Sequence, residues 1–260
     1  MKLALLYVAT GKYIAFWKEF YESFEQNFCT NSEKDYYIFT DSLDFDYKNN
    51  DNVFVIEQES LGWPDNTLKR YHMFSRIISK LEKYDYIFFL NANCKCMSVI
   101  TEEEFINDKD LIFVQHPGYF NKSNEAFPYE RNEKSKAYIP YGDGEKYNCG
   151  GDNGGKSASF IKLILSLRDE TDLDLEQGIV AKWHEESHIN HYLYNLKDSN
   201  NIAILSPAYC FPEDTHIPFE CKILIREKSK YIDVDNIKNI PLINRINKRL
   251  RKFLKSLINK

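Results

Sequence analysis

Tyr86-Ile87-Phe88-Phe89-Leu90-Asn91-Ala92-Asn93-Cys94 is the stretch on which the fold depends. A short apolar and aromatic run ends abruptly in two amides, which predicts a buried strand followed by a polar strand end. Ligands of open α/β sheets lie beyond the carboxyl ends of strands. Because side chains at i and i+2 of an extended backbone share a face, Asn91 and Asn93 are expected to reach one ligand. An ordinary polar strand end fits the same residues.

Strand patterns alternate with helical patterns on both sides of this stretch. The predicted strands cover 3–9, 35–40, 53–56, 86–90, 111–115, 202–205 and 223–225, and the predicted helices cover 13–28, 67–81, 157–167 and a segment after Trp183. This alternation predicts an α/β protein with a mixed, mostly parallel sheet covered by helices. A long polar segment, 116–143, contains three prolines, and such a loop inside a compact domain is usually functional.

The composition is that of a soluble globular protein, with 43% hydrophobic and 28% charged residues in 260. The net charge of −5 is uneven, because residues 241–260 contain seven basic side chains and no acidic one. The remaining chain is therefore strongly acidic, which argues against nucleic acid as a partner. Six cysteines without a Cys-x-x-Cys pair indicate free thiols in a reducing cytoplasm. The short apolar run at 3–9 is interpreted as a first strand and not as a secretory signal.

The sequence predicts a single catalytic domain at 1–235, followed by a basic C-terminal tail at 236–260. Apolar residues recur in the tail at helical spacing, with lysines and arginines between them. This pattern predicts an amphipathic helix on an anionic membrane surface, which would place the protein on the inner face of the cytoplasmic membrane. A basic helix docked on the acidic domain is the alternative.

Trp183-His184-Glu185-Glu186-Ser187-His188 has three interpretations. It matches the His-Glu-x-x-His signature of zinc peptidases, in which Glu185 would be the base. It also fits an acidic pair beside an aromatic ring, since a carboxylate can stabilise an oxocarbenium-like sugar centre and a tryptophan can stack on a sugar. A helix N-terminus with acids at the positive end of the dipole explains the same residues without any catalytic role.

The glycine-rich segment 149–157 formally matches a phosphate-binding loop. Gly150 is followed after four residues by Gly155-Lys156-Ser157. A phosphate loop follows an early strand of the sheet, whereas this segment follows the long polar loop. The nucleotidase interpretation therefore lacks its structural context.

Taken together, these segments resemble glycosyltransferase family 6, the family of the histo-blood-group A and B transferases and the α1,3-galactosyltransferases. The resemblance extends from about residue 3 to 230. Its motifs are Ala9-x-x-Lys12-Tyr13, Tyr37-Ile38-Phe39-Thr40-Asp41, His116-Pro117-Gly118-Tyr119, Glu125-Ala126-Phe127-x-Tyr129-Glu130-Arg131, Ala137-Tyr138-Ile139-Pro140, the paired glycines, Trp183-His184-Glu185-Glu186-Ser187-His188-Ile189-Asn190 and Leu205-Ser206-Pro207-x-Tyr209.

The resemblance implies a GT-A domain that transfers Gal or GalNAc from a UDP-sugar, with retention, to the 3-hydroxyl of a galactose. It implies that Glu186 is the catalytic glutamate and that Glu185 is an acidic neighbour contacting the donor sugar. Acceptor contacts are implied for His116, Trp183 and Pro128. Donor contacts are implied for Val8, Ala9, Thr10, Tyr13, Arg70, Asn91, Ala92, Asn93, Gly150, Gly151 and Lys228. Gly151 matches a position that is glycine in A-type transferases and alanine in galactose-using members, which favours UDP-GalNAc over UDP-Gal.

Three departures from the family pattern shape the expectations. Asn91-Ala92-Asn93 stands where vertebrate members have Asp-x-Asp, and a neutral amide is a weak metal ligand, so no divalent metal or other cofactor is expected. Pro128 replaces a hydroxyl-bearing acceptor contact. The vertebrate membrane anchor and stem have no counterpart in this sequence. The expected product resembles a blood-group A antigen on a fucosylated galactoside of a lipopolysaccharide or other glycan. A sugar-binding pseudoenzyme is the non-catalytic alternative.

Overall fold

The computed structural model describes residues 1–196 and 201–233, and the fold is built around a twisted sheet of seven strands within these ranges. Parallel β1, β2 and β4 form its centre, and β7 joins the sheet antiparallel to β4. The strands are β1 (Lys2–Val8), β2 (Glu33–Thr40), β3 (Val53–Glu57), β4 (Tyr86–Phe89), β5 (Cys94–Cys96), β6 (Leu111–Val114), β7 (Asn153–Lys156), β8 (Ile202–Leu205), β9 (Phe211–Pro212) and β10 (Ile223–Ile225). The sheet order is β3-β2-β1-β4-β7-β6-β8.

Helices cover both faces of this sheet. The α-helices in the described ranges are α1 (Trp17–Asn27), α2 (Asp65–Leu68), α3 (Arg70–Ser75), α4 (Ile78–Leu81), α5 (Glu102–Phe105), α6 (Ser157–Glu176) and α7 (Glu185–Asn195). On one face the aromatic side of α1, including Trp17, Phe20 and Phe24, packs on β1 and β4. On the other face α3 and α6 pack on the alternate residues of the same strands. The predicted α/β, GT-A-like architecture is confirmed.

One central strand was not predicted. β7 has the sequence Asn-Gly-Gly-Lys, and glycine carries no side chain from which an alternating pattern could be read. Its glycines are required by close packing, because a Cβ on Gly154 would lie 2.1 Å from the Phe88 ring and one on Gly155 would lie 2.1 Å from the Asp110 carbonyl. Gly155-Lys156 therefore belongs to a strand, and the phosphate-loop interpretation of this segment is wrong.

The predicted helix 67–81 is divided into α2, α3 and α4. The backbone leaves the helical region at Lys69 and again at Ile77. Leu68, Tyr71, Phe74 and Leu81, which these short helices contribute, are all buried in the interior. The first break also places Arg70 at the start of its own short helix, facing the carboxyl edge of the sheet.

A small second sheet has the order β5-β10-β9, with β10 antiparallel to β5 and parallel to β9. Arg226 follows β10 and is buried, donating from its guanidinium to the carbonyl of Phe16. The predicted amphipathic tail at 236–260 lies outside the described residues. No helix within 1–196 and 201–233 has the length and apolar character needed to cross a membrane.

Candidate active site

A cavity opens at the carboxyl ends of β1 and β4, where ligands of such sheets bind. We call it the strand-end cavity. It is lined by Val8, Thr10, Tyr13, Gly62, Trp63, Asn66, Thr67, Arg70, Phe89, Asn91, Ala92 and Lys228. Seven of the predicted donor-site residues are brought together here from four separate parts of the chain. Ala9 is fully buried and contributes its backbone to the sheet by donating to the carbonyl of Phe39.

A second cavity, the glycine-side cavity, adjoins the first. It is lined by Asn91, His116, Pro117, Cys149, Gly150, Gly151, Glu186, Cys210, Pro212 and Ile225. Asn91 lines both cavities, so they meet at its side chain. The predicted catalytic glutamate, one predicted acceptor contact and both predicted donor-side glycines share this cavity.

Glu186 projects from the first turn of α7, and both of its carboxylate oxygens are fixed. Oε1 accepts a hydrogen bond from the Tyr147 hydroxyl at 2.5 Å, and Oε2 accepts one from the Gly150 backbone N–H at 2.7 Å. Burial raises the pKa of Glu186, whereas these two hydrogen bonds and the charge of Arg70 lower it. A carboxylate held this way is available to stabilise positive charge that develops in the cavity.

Glu185 faces the interior and not the cavities. It is 3% exposed and accepts from the Arg70 guanidinium at 2.7 Å, forming a buried ion pair. Burial raises the pKa of Glu185 to about 7, against the opposing effect of Arg70. Arg70 also lies over the Phe89 ring, 4.2 Å from its centroid. The structure thus places Glu185 behind Arg70, as a residue that orients the arginine, and does not place it on the cavity wall.

The two amides of the opening stretch diverge, contrary to the expectation that they reach one ligand. The extended backbone ends at Phe89, and a turn with a Cys94 N–H to Asn91 carbonyl bond rotates the next residues. Asn93 is 1% exposed, and its amide donates to the Arg226 carbonyl at 2.6 Å. Only Asn91 lines the cavities. Asn93 is thus buried away from the cavities, and Asn91 offers there only a neutral amide oxygen, which is a weak ligand for a divalent ion.

The predicted acceptor contacts separate into one cavity residue and two residues outside. His116 lines the glycine-side cavity, and burial lowers its pKa to about 4, so its ring is neutral at neutral pH. Trp183 is 47% exposed on the surface before α7, and Pro128 lies between the buried side chains of Phe127 and Tyr129. Neither lines the two cavities in the part of the chain that the structure describes.

The histidines of the peptidase signature do not converge. α7 begins at Glu185, so His184 precedes the helix with φ 54° and its ring contacts Trp63. His188 is fully buried against α6, with ring nitrogens 3.6 Å from carboxylate oxygens of Glu170 and Asp174. Among residues 1–196 and 201–233, no group of three histidine, cysteine or acidic side chains is placed to hold a metal ion. The zinc peptidase interpretation has no support in this geometry.

Several cavity residues were not predicted. Trp63, Asn66 and Thr67 line the strand-end cavity, and Tyr147 bonds to Glu186. Trp63, Asn66 and Thr67 lie at a turn and a helix start, where tryptophan, asparagine and threonine also serve structural purposes. The chain has 18 tyrosines, and no local pattern distinguishes Tyr147 from the others. Its role depends on a contact across 39 residues of chain, which no local pattern signals.

The GT-A-like sheet, the cavity at its strand ends and the fixed glutamate beside that cavity define the class of nucleotide-sugar glycosyltransferases. The model of glycosyltransferase family 6 matches residues 1–239. The chain belongs to this family and is a hexosyltransferase, with a nucleotide-sugar donor and a glycan acceptor.

Known relatives share this family. The chain is similar to the O-antigen biosynthesis glycosyltransferase WbnI of Escherichia coli, with 38% identity over 92% of this chain and all of that protein. It is 30% identical to the histo-blood group ABO system transferase 1 of Rattus norvegicus over 81% of this chain. It is also 30% identical to the globoside α-1,3-N-acetylgalactosaminyltransferase 1 of Gallus gallus over 79% of this chain. The chain covers 61% and 60% of these two vertebrate proteins.

Proposed function

We propose that the protein transfers GalNAc from UDP-GalNAc, with retention of configuration, to the 3-hydroxyl of an α1,2-fucosylated galactose and needs no divalent metal. UDP-Gal is the alternative donor. The observation that carries the proposal is the position of Glu186. It lies in the glycine-side cavity next to Asn91, the residue that also lines the strand-end cavity.

The two cavities support separate binding sites for the donor and the acceptor. The strand-end cavity contains Arg70 and Lys228, whose positive charges suit a nucleoside diphosphate. The Nε of Arg70 is buried and has no hydrogen-bond partner among the described residues, so it is a donor that a ligand would satisfy. Tyr13 supplies an aromatic surface for a base, with the Lys228 ammonium 5.3 Å from its ring centroid. The sugar would then extend past Asn91 towards Glu186.

The chemistry assigned to Glu186 follows from charge. Loss of the diphosphate leaves an oxocarbenium-like sugar, and a carboxylate beside it stabilises that positive charge. His116, neutral at neutral pH, provides a hydrogen bond to an acceptor hydroxyl in the same cavity. Arg70 and Lys228 would meet the negative charge of the departing UDP. These roles require that Glu186 be ionised, which its bonds from Tyr147 and Gly150 favour.

Metal independence leads to a direct prediction. We expect transfer to persist in excess EDTA, because Asn93 lines neither cavity and Asn91 offers only a neutral amide. The measurement is initial-rate UDP release with and without EDTA, and with added Mn²⁺ or Mg²⁺. A vertebrate relative with Asp-x-Asp serves as the control that EDTA should silence. Loss of activity in EDTA that Mn²⁺ restores would reject this part of the proposal.

The proposed donor preference depends on Gly151 and on the space beside it, which another side chain fills. A Cβ at this position would lie 1.8 Å from the Asn91 Nδ2 atom, so the Asn91 carboxamide occupies the space beside the glycine. An amide there can both donate to and accept from the acetamido group of GalNAc. Close packing means that one added methyl would displace Asn91.

We therefore expect wild-type kcat/KM to be higher for UDP-GalNAc than for UDP-Gal, with 2′-fucosylated galactoside as acceptor. Gly151→Ala should lower the value for UDP-GalNAc by about tenfold or more relative to UDP-Gal, which is the internal control for misfolding. A wild-type preference for UDP-Gal would reverse the assignment, as would an unchanged donor ratio in Gly151→Ala.

We also propose that the basic tail attaches this cytoplasmic enzyme to an anionic membrane surface, near a lipid-linked or lipopolysaccharide acceptor. The seven basic side chains at 241–260 support this attachment electrostatically. Full-length protein should co-sediment with anionic liposomes, more strongly at low salt than at high salt, while residues 1–240 alone should remain in the supernatant. Equal sedimentation of the two proteins would exclude the tail as the membrane contact.

A further inference from the structure

The carboxylate of Glu186 is fixed by two donors of different kinds. Gly150 donates from the backbone, whereas the bond to Oε1 comes from a single side chain, Tyr147. The terminal torsion of a glutamate is broad and does not fix the carboxyl plane by itself. Two bonds to opposite oxygens determine both the position and the plane of this group. The Tyr147 hydroxyl is thus one of two contacts that orient the carboxylate.

Tyr147 is itself held by the wall of the glycine-side cavity. It is 1% exposed and packs in a buried aromatic cluster with Phe127, Tyr129 and Ile139. Its ring centroid lies 5.7 Å from that of His116, and its backbone carbonyl accepts from the His116 N–H at 2.8 Å. One residue therefore contacts both the glutamate and the histidine of this cavity.

The Tyr147 hydroxyl is the donor in its bond to the Glu186 carboxylate. Burial beside Glu186 raises the pKa of Tyr147, so the phenol stays protonated across the working pH range. Its bond in turn lowers the pKa of Glu186. The other charged or titratable groups that act on this pair are Arg70, Glu185, Tyr119 and Cys149. Removal of the hydroxyl therefore favours the protonated form of Glu186.

We propose that Tyr147 is a positioning residue for the transfer reaction, which holds Glu186 in its reactive orientation and couples it to the acceptor-binding wall at His116. The inference rests on the proposed function, because it assumes that Glu186 acts on the donor sugar. Tyr147 does not touch the reacting atoms in this arrangement. Its contribution is made through the plane of the carboxylate and its contact with His116.

A purely structural role for Tyr147 makes a different prediction, and Tyr129 provides the matched control. Tyr129 belongs to the same cluster, 5.5 Å from the Tyr147 ring, and is 3% exposed. Its hydroxyl donates to the Lys146 carbonyl at 2.8 Å and not to a catalytic group. Tyr129→Phe and Tyr147→Phe thus remove the same atom from the same cluster, and only the second change reaches Glu186.

The experiment compares the steady-state kinetics of wild type, Tyr147→Phe and Tyr129→Phe. We expect Tyr147→Phe to lower kcat by about 10- to 100-fold, the range for a lost hydrogen bond to a charged group. Donor KM should change less than twofold. The acidic limb of the kcat profile should move to higher pH, because Glu186 loses a bond that lowers its pKa. Tyr129→Phe should retain kcat and the pH profile.

A double variant separates positioning from other effects. In a Glu186→Gln background, Tyr147→Phe should cause little further loss, because the group it orients no longer carries charge. Equal kcat in Tyr147→Phe and Tyr129→Phe, or full additivity with Glu186→Gln, would overturn the inference while leaving the proposed function in place. Failure of wild type to release UDP with any fucosylated acceptor would reject the proposed function instead. The same variants would then be compared in hydrolysis of UDP-GalNAc by water, with the same expected order.

Discussion

Glu186→Gln is expected to lower kcat by about three orders of magnitude or more while leaving UDP binding within about twofold of wild type. The carboxylate acts on charge that appears at the sugar only as the bond to the diphosphate breaks, so the loss falls on the transition state. UDP release under saturating donor and acceptor measures kcat, and titration calorimetry measures UDP affinity.

The substitution keeps the local structure, which makes the result interpretable. Glutamine has the same shape, its oxygen can accept from the Gly150 N–H, and its amide can donate to the Tyr147 oxygen. Unfolding by urea should therefore show a small change in stability. Glu185→Gln is the comparison variant, since Glu185 lies behind Arg70 and outside both cavities. A silent Glu186→Gln beside an inactive Glu185→Gln would contradict the assignment.

Arg70→Met is expected to destabilise the protein by about 3–5 kcal/mol at pH 8 and to weaken UDP-sugar binding strongly. The arginine is the cation paired with the buried carboxylate of Glu185 at 2.7 Å, and removing one partner of such a pair leaves an uncompensated charge. It also removes a guanidinium from the strand-end cavity. Urea unfolding and UDP calorimetry measure the two effects separately.

The loss of stability should depend on pH in a defined direction. The pKa of Glu185 is about 7 in the folded protein, above its unfolded value, so ionisation of this group opposes folding as pH rises. Arg70 lowers that pKa, so its removal should raise the pKa of Glu185 in the folded protein further. At a pH above both folded-state pKa values, each unit of difference between them lowers the free energy of unfolding by about 1.4 kcal/mol. The destabilisation caused by Arg70→Met should therefore be greater at pH 8 than at pH 5, by up to about 1.4 kcal/mol, since only the pH interval above the wild-type pKa contributes.

The double variant Arg70→Met/Glu185→Gln distinguishes the two roles of Arg70. It should recover much of the lost stability at pH 8, because no buried charge remains, but it should not recover UDP-sugar binding. Equal destabilisation of Arg70→Met at pH 5 and pH 8 would contradict the ion-pair account. Wild-type UDP-sugar affinity in either variant would contradict the place of Arg70 in the donor site.

Local sequence patterns predicted the elements whose burial is periodic. β8 and β10 begin and end where predicted, and β1 to β4 differ by only one or two residues at their ends. β7 was not predicted, because its glycines are required by close contact with Phe88 and Asp110, which are distant in the chain. The helix 67–81 was predicted as continuous because its apolar spacing is helical, whereas the breaks at Lys69 and Ile77 follow from packing on the sheet.

The sequence by itself determined the α/β class and the family motifs, and it predicted seven of the residues that line the strand-end cavity. The class follows from local spacing, and the cavity residues follow from the resemblance to the family. Tertiary structure alone decided which polar groups face the cavities. The turn after Phe89 directs Asn93 to Arg226, and the start of α7 at Glu185 directs Glu185 to Arg70 and Glu186 to the cavity. Tyr147 and Trp63 likewise enter the site only through folding. The physical reason is that a side chain's direction depends on the backbone around it and on partners far away in the chain, such as Arg226, which is 133 residues from Asn93.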